Sequence, residues 1–190
     1  MPFADPGADG PTIQLANQRA LKAGANMGQT LQMVRDFRTE NQDTPIVLMG
    51  YYNPVLAYGP EKFAQDTAEA GVDGFILVDL PPEEDKEFRA LCQQNNLDLI
   101  RLITPTSDET RLPILLEGVS GFLYYVSITG VTGSAKADLA TLKPHIETIK
   151  NHTDLPIAIG FGIKTPEDAA HMAQISDAVV VGSSIIQAIT

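Results

Sequence analysis

Six short apolar runs punctuate the chain, each rich in β-branched or aromatic residues. They are Pro45–Tyr51 (PIVLMGY), Gly74–Asp79 (GFILVD), Leu97–Leu102 (LDLIRL), Gly121–Val126 (GFLYYV), Pro156–Gly160 (PIAIG) and Ala178–Gly182 (AVVVG). Continuous apolar runs of this length suit strands buried on both faces, as in a parallel sheet. Their starts lie 29, 23, 24, 35 and 22 residues apart, which leaves room for a helix between neighbours. The intervening segments carry helical periodicity. Leu31, Val34 and Phe37 share one face, Phe88, Leu91 and Cys92 another, and Leu139, Leu142, Ile146 and Ile149 a third. Helix starts are predicted at Pro60-Glu61, after Pro81-Pro82 at Glu83-Glu84, and at Thr165-Pro166-Glu167. Helix ends are predicted at Ala23-Gly24 and Ala70-Gly71.

The predicted order is helix, helix, five β–α units, then a strand and the first turn of a helix. This is an α/β fold in one domain, 1–190, with neither linker nor low-complexity segment. A doubly wound sheet would gather functional residues at one switch point. Here they follow nearly every strand, which favours a (β/α)8 barrel with its βα loops at one mouth. The 190 residues are few for that fold, for which about 250 is typical and roughly 200 the floor.

Composition narrows the function. The 44% apolar content is ordinary for a chain that buries a core. A net charge of −11 argues against nucleic acid as a partner. No apolar run approaches the roughly 20 residues of a membrane span, and the opening MPFADPGADGP is not signal-like. A single cysteine, Cys92, fits a reducing, cytoplasmic setting.

Three glycine-bearing loops follow the last three predicted strands: Ser127–Gly133 (SITGVTG), Gly160–Ile163 (GFGI) and Gly182-Ser183-Ser184. One such loop is explained by ordinary strand endings. Three in succession point to phosphate held by backbone N–H groups, the last at a helix start. In the N-terminal segment, Asp5 and Asp9 lie among Gly and Pro. Asp9 is either turn chemistry and a helix N-cap or a carboxylate aimed into a site. Tyr124 and Tyr125 alternate on one strand, one pointing inward and one outward, with core packing the default for each. Asn53 reads as a turn former and Asp79 as a helix cap. His145, His152 and His171 lack metal-ligand spacing and belong on helix surfaces, so no metal is expected. Cys92 falls on an apolar helix face, as a core residue does.

Six of these segments together resemble one family. PFADPGADGPTIQ (Pro2–Gln14), LMGYYNP (Leu48–Pro54), DLPPEE (Asp79–Glu84), SITGVTG (Ser127–Gly133), GFGI (Gly160–Ile163) and VGS (Val181–Ser183) resemble, in order, the loops of the tryptophan synthase alpha subunit. The resemblance implies a (β/α)8 barrel, incomplete here at about six of eight strands. It implies a lyase of tryptophan biosynthesis, cleaving indole-3-glycerol phosphate to indole and glyceraldehyde 3-phosphate. It implies no cofactor in this subunit, with pyridoxal phosphate in a partner beta subunit of an alpha-beta-beta-alpha assembly. By motif position Asp9 becomes the carboxylate that contacts the indole N–H. Gly133, Gly162, Gly182 and Ser183 become the phosphate site, and Thr132 and Tyr124 the pocket lining. Asp5, Pro6 and Asn53 become the face toward the beta subunit.

Two departures stand out. Ala4 replaces the loop's usual Ser. The family's general acid/base Glu, by motif register, would lie three residues ahead of Met1, along with the first βα unit and the second strand, and most of the last helix would lie past Thr190. The expectation is that this chain alone has little or no activity. The alternative is a non-catalytic module that binds phosphate or the beta subunit. Another phosphate-binding barrel of a neighbouring pathway is disfavoured, because such relatives lack the ADGPTIQ pattern at this place.

Overall fold

The computed structural model describes residues 1–127, 139–160 and 162–189. The chain divides into two compact units, Met1–Leu99 and Ile100–Thr190, and each has a hydrophobic core of its own.

The first unit begins with a loop and helix α1 (Pro11–Lys22), followed by α2 (Met27–Glu40), strand β1 (Val47–Gly50), α3 (Tyr52–Tyr58), α4 (Pro60–Ala70), β2 (Gly74–Leu77) and α5 (Lys86–Gln94). Local chemistry sets these boundaries. Pro11 and Pro60 occupy first-turn positions, where a missing N–H costs nothing. Asn26 caps α2 by accepting from the Gln29 amide at 3.0 Å. Gly71 ends α4 in the left-handed conformation, φ 93°, that a side chain would resist. β1 and β2 run parallel, with Val47 opposite Gly74 and Gly50 opposite Leu77. Every residue of β2 is buried. Its Phe75 meets Phe63 of α4 and Phe88 of α5 at ring distances of 5.1 and 5.7 Å, so three aromatic rings close this core.

Strand β3 (Asp98–Ile103) starts in the first unit and continues into the second, which holds α6 (Leu112–Leu116), β4 (Leu123–Val126), α7 (Leu139–Lys150), β5 (Ile157–Gly160), α8 (Pro166–Met172), β6 (Ala178–Val180) and α9 (Ser183–Ile189). β3, β4, β5 and β6 pair in sequence order, all parallel. Ile103, Leu123, Tyr125, Ile157 and Ile159 of the strands pack with Leu142, Ile146 and Ile149 of α7. Thr165 and Asp168 form a reciprocal capping box at the start of α8.

All six predicted strands form, within a residue or two of their expected limits. Three local expectations are corrected. Asn53 is not a turn former, because it lies in the first turn of α3. The helix predicted at Glu83 begins only at Lys86. Residues 82–84 form a turn instead, with the Glu84 amide bonded to the Pro81 carbonyl at 3.0 Å. Phe37 leaves the face it was assigned to share. It is 42% exposed, whereas Leu31 and Val34 are buried.

Candidate active site

Asp9 sits where a loop tightens into a helix. The Gly7 amide donates to the Asp5 carbonyl and the Asp9 amide to the Pro6 carbonyl, both at 3.0 Å. Gly10, not Asp9, occupies the N-cap of α1, and among the described residues no side chain caps that helix. The capping reading of Asp9 is therefore replaced by another arrangement. Its carboxylate oxygen Oδ2 accepts from the Tyr51 hydroxyl at 3.2 Å and from Asn17 Nδ2 at 3.5 Å. Gln14 Nε2 donates to the Asp9 carbonyl at 2.9 Å and holds the loop against α1.

Tyr51 follows directly on β1, and its side chain is buried. Its hydroxyl accepts from the Ala8 amide at 3.0 Å, and its ring meets Phe3 at 5.3 Å. Burial pushes the phenol above its usual range, the Ala8 amide opposes that, and the Asp9 charge adds to the rise. At neutral pH the group is a protonated donor. Beyond β2, Asp79 accepts from the Tyr52 amide at 2.7 Å, so it serves the start of α3, a helix that precedes it in the chain, and not the helix that follows Pro81-Pro82. Asn53 is exposed on that helix, Asp5 is exposed in the loop, and Pro6 is half-buried.

In the second unit, Tyr124 lies across β5. A Cβ built on Gly160 would come within 2.3 Å of the Tyr124 hydroxyl, so only glycine leaves room for this ring. Tyr124 and Tyr125 point to opposite sides of β4, yet both are buried. Tyr125 belongs to the core, and burial pushes its phenol up to about 12. Ser127 Oγ donates to the Gly160 carbonyl at 3.2 Å. Gly162 adopts φ 78°, open to glycine. Gly182 and Ser183 are exposed at the start of α9, and among the described residues, chain neighbours aside, no heavy atom lies within 4 Å of a Cβ placed on Gly182. Ser184 Oγ donates to the Ile163 carbonyl at 3.1 Å, which ties the loops after β5 and β6 together. The open loop backbone and the first-turn amides of α9 are the kind of groups that accept an anion. Thr132 and Gly133 lie outside the described residues.

The family model of the tryptophan synthase alpha chain matches residues 1–190. The chain belongs to the tryptophan synthase alpha chain family. Solved structures agree. A tryptophan synthase alpha chain from Legionella pneumophila subsp. pneumophila is 43% identical and superposes with a TM-score of 0.88, over 98% of this chain and 68% of that one. Tryptophan synthase from M. tuberculosis in an aminoacrylate-bound form is 35% identical, with a TM-score of 0.88 over 99% and 71%. A tryptophan synthase complex from Pyrococcus furiosus is 34% identical, with a TM-score of 0.87 over 99% and 75%. The α/β fold with parallel strands is that of the alpha chains, and the family's role is that of a lyase in tryptophan synthesis.

Each unit thus organises its own part of the alpha-chain motifs. The first brings Asp9 to Tyr51 and Asn17. The second brings Tyr124 to Gly160, and Ser184 to the Ile163 carbonyl. Sequence reasoning missed Tyr51, Asn17 and Gln14, although all three stand inside or beside the quoted motifs. Their signal was a polar or phenolic side chain at a strand end and on the first turns of α1. His145, His152 and His171 lie exposed on or just after helices, and Cys92 is buried, its thiol pushed up to about 12 by burial. Among the described residues no cluster of His, Cys, Asp or Glu could hold a metal ion, and no helix is long and apolar enough to cross a membrane.

Proposed function

We propose that the chain acts in the cleavage of indole-3-glycerol phosphate to indole and glyceraldehyde 3-phosphate, with Asp9 accepting the indole N–H. Breaking the carbon–carbon bond requires transient protonation at indole C3. Positive charge then develops on the ring nitrogen, and a fixed carboxylate beside it lowers the barrier. Gly133, Gly162, Gly182 and Ser183 take the substrate phosphate through backbone amides, and Tyr124 and Thr132 line the pocket. A phosphate held this way is captured locally, which suits a chain of net charge −11. The step uses no cofactor in this chain. Pyridoxal phosphate belongs to a beta subunit, which receives the indole and meets the face carrying Asp5, Pro6 and Asn53.

The observation that carries this reading is the Asp9 carboxylate, released from helix capping and held by a buried phenol. The test is Asp9→Asn. It is expected to weaken binding of indole-3-glycerol phosphate about ten-fold or more, measured by calorimetry. Unchanged binding would overturn the reading.

A further inference from the structure

We infer that Tyr51 and Asn17 are positioning residues that hold the Asp9 carboxylate by one oxygen and leave the other for the ligand's N–H. This rests on the reading of Asp9 as the acceptor for that N–H. An aspartate's terminal torsion is broad and roughly two-fold, so its own backbone does not aim the carboxylate. Here both donors converge on Oδ2, the Tyr51 hydroxyl at 3.2 Å and Asn17 Nδ2 at 3.5 Å. Among the described residues Oδ1 takes no hydrogen bond, although a carboxylate has about four acceptor positions.

The Tyr51 bond has a built-in direction. The Ala8 amide donates into the hydroxyl at 3.0 Å, which leaves the phenol's own proton to point at Asp9. Chained hydrogen bonds of this kind strengthen one another. The ring is anchored at the end of β1, is buried, and is packed by Phe3. Asn17 approaches from α1, the helix that Gln14 pins to the Asp9 carbonyl. Strand end, loop and helix therefore converge on one oxygen.

The test compares two ligands on the full chain by calorimetry. One is indole-3-propyl phosphate, which cannot be cleaved. The other is its benzothiophene counterpart, in which sulfur replaces the N–H. The chain is expected to prefer the N–H ligand by about ten-fold or more, and Asp9→Asn to abolish the preference. Tyr51→Phe, which keeps the ring, is expected to reduce the preference several-fold while binding of the sulfur ligand stays the same. A merely structural defect would weaken both ligands together. Asn17→Ala is expected to reduce the preference about two- to three-fold, and it decides the matter if Tyr51→Phe fails to fold. Loss of the preference in Asp9→Asn with full retention in folded Tyr51→Phe, or in Asn17→Ala where that variant decides, overturns this inference alone. No preference in the unaltered chain, or none lost in Asp9→Asn, overturns the reading of Asp9 and this inference with it.

Discussion

Asp73 precedes β2 in the first unit, and Asp177 precedes β6 in the second. Each carboxylate makes the same clamp. The Asp73 amide donates to the Ile46 carbonyl at 2.9 Å, and the Ile46 amide returns the bond to Asp73 Oδ2 at 2.6 Å. The Asp177 amide donates to the Ile157 carbonyl at 3.0 Å, and the Ile157 amide to Asp177 Oδ2 at 2.9 Å. Each pair locks the start of a strand to its parallel neighbour. The cations beside them differ. Arg38 of α2 reaches Asp73 at 2.7 Å, and its fork also donates to the carbonyls of Gly71 and Thr44 at 2.8 Å and of Asn41 at 3.2 Å. Lys150, the last residue of α7, makes one contact with Asp177 at 3.2 Å. The Arg38 side chain is 12% exposed and that of Lys150 is 44%. A planar guanidinium can satisfy several carbonyls at once, while an ammonium on a flexible stem acts as a point charge. One clamp therefore gathers a loop, a helix end and a strand, and the other joins two groups.

The largest expected effect comes from Arg38→Ala. It removes a donor from three carbonyls and the cation from a carboxylate that keeps the Ile46 amide, and it should lower the stability of the first unit by about 2–4 kcal/mol. Urea unfolding measures this, with faster hydrogen exchange at the Ile46 amide as the local sign. A loss no greater than that from removing Lys150 would end the distinction.

Asp177→Asn should cost less, about 0.5–1.5 kcal/mol at neutral pH, because the amide oxygen can still accept from Ile157. The cost should also depend on pH. The Ile157 amide above all, with help from Lys150 and against some burial, holds the Asp177 carboxyl below the usual carboxylate range. A depressed folded-state pKa stabilises above the unfolded value, near 3.9, and the effect fades as pH falls through the folded value. The stability gap between the native chain and Asp177→Asn should therefore hold from neutral pH down to about pH 4 and close in stronger acid. A gap that widens in acid would contradict the clamp.

Lys150→Ala should have the smallest effect, under about 1 kcal/mol and reduced further by salt, as for other half-exposed pairs. A larger, salt-insensitive loss would mean that the two clamps are equivalent after all.

Much of the fold was legible because its signals are local. An apolar run such as GFILVD specifies a buried strand wherever it occurs, and all of β2 is buried. Thr165-Pro166-Glu167-Asp168 carries its own capping chemistry, and the capping box forms there. One misreading arose where a distant partner overrode the local signal. Asn53 looked like a turn former, but Asp79, on the far side of β2, captures the Tyr52 amide where a helix starts. Phe37 looked like a core residue on its helix period, yet it is left exposed while Leu31 and Val34 fill the core.

The candidate site divides the same way. That glycine-bearing segments follow the last three apolar runs, and that Asp9 lies among Gly and Pro, can be read along the chain. That Tyr124 needs Gly160, 36 positions on by sequence number, follows only from the strand register that sets Tyr124 beside Ala158 and Val126 beside Gly160. Asp9 and Tyr51 stand 42 residues apart and meet across a single hydrogen bond. The sequence by itself determined the elements, their order and the chemistry at their ends, because hydrophobic period, capping and glycine conformation act within a few residues. Only the tertiary structure decided which of those ends meet, because hydrogen bonds and close packing depend on distance in space and not on separation along the chain.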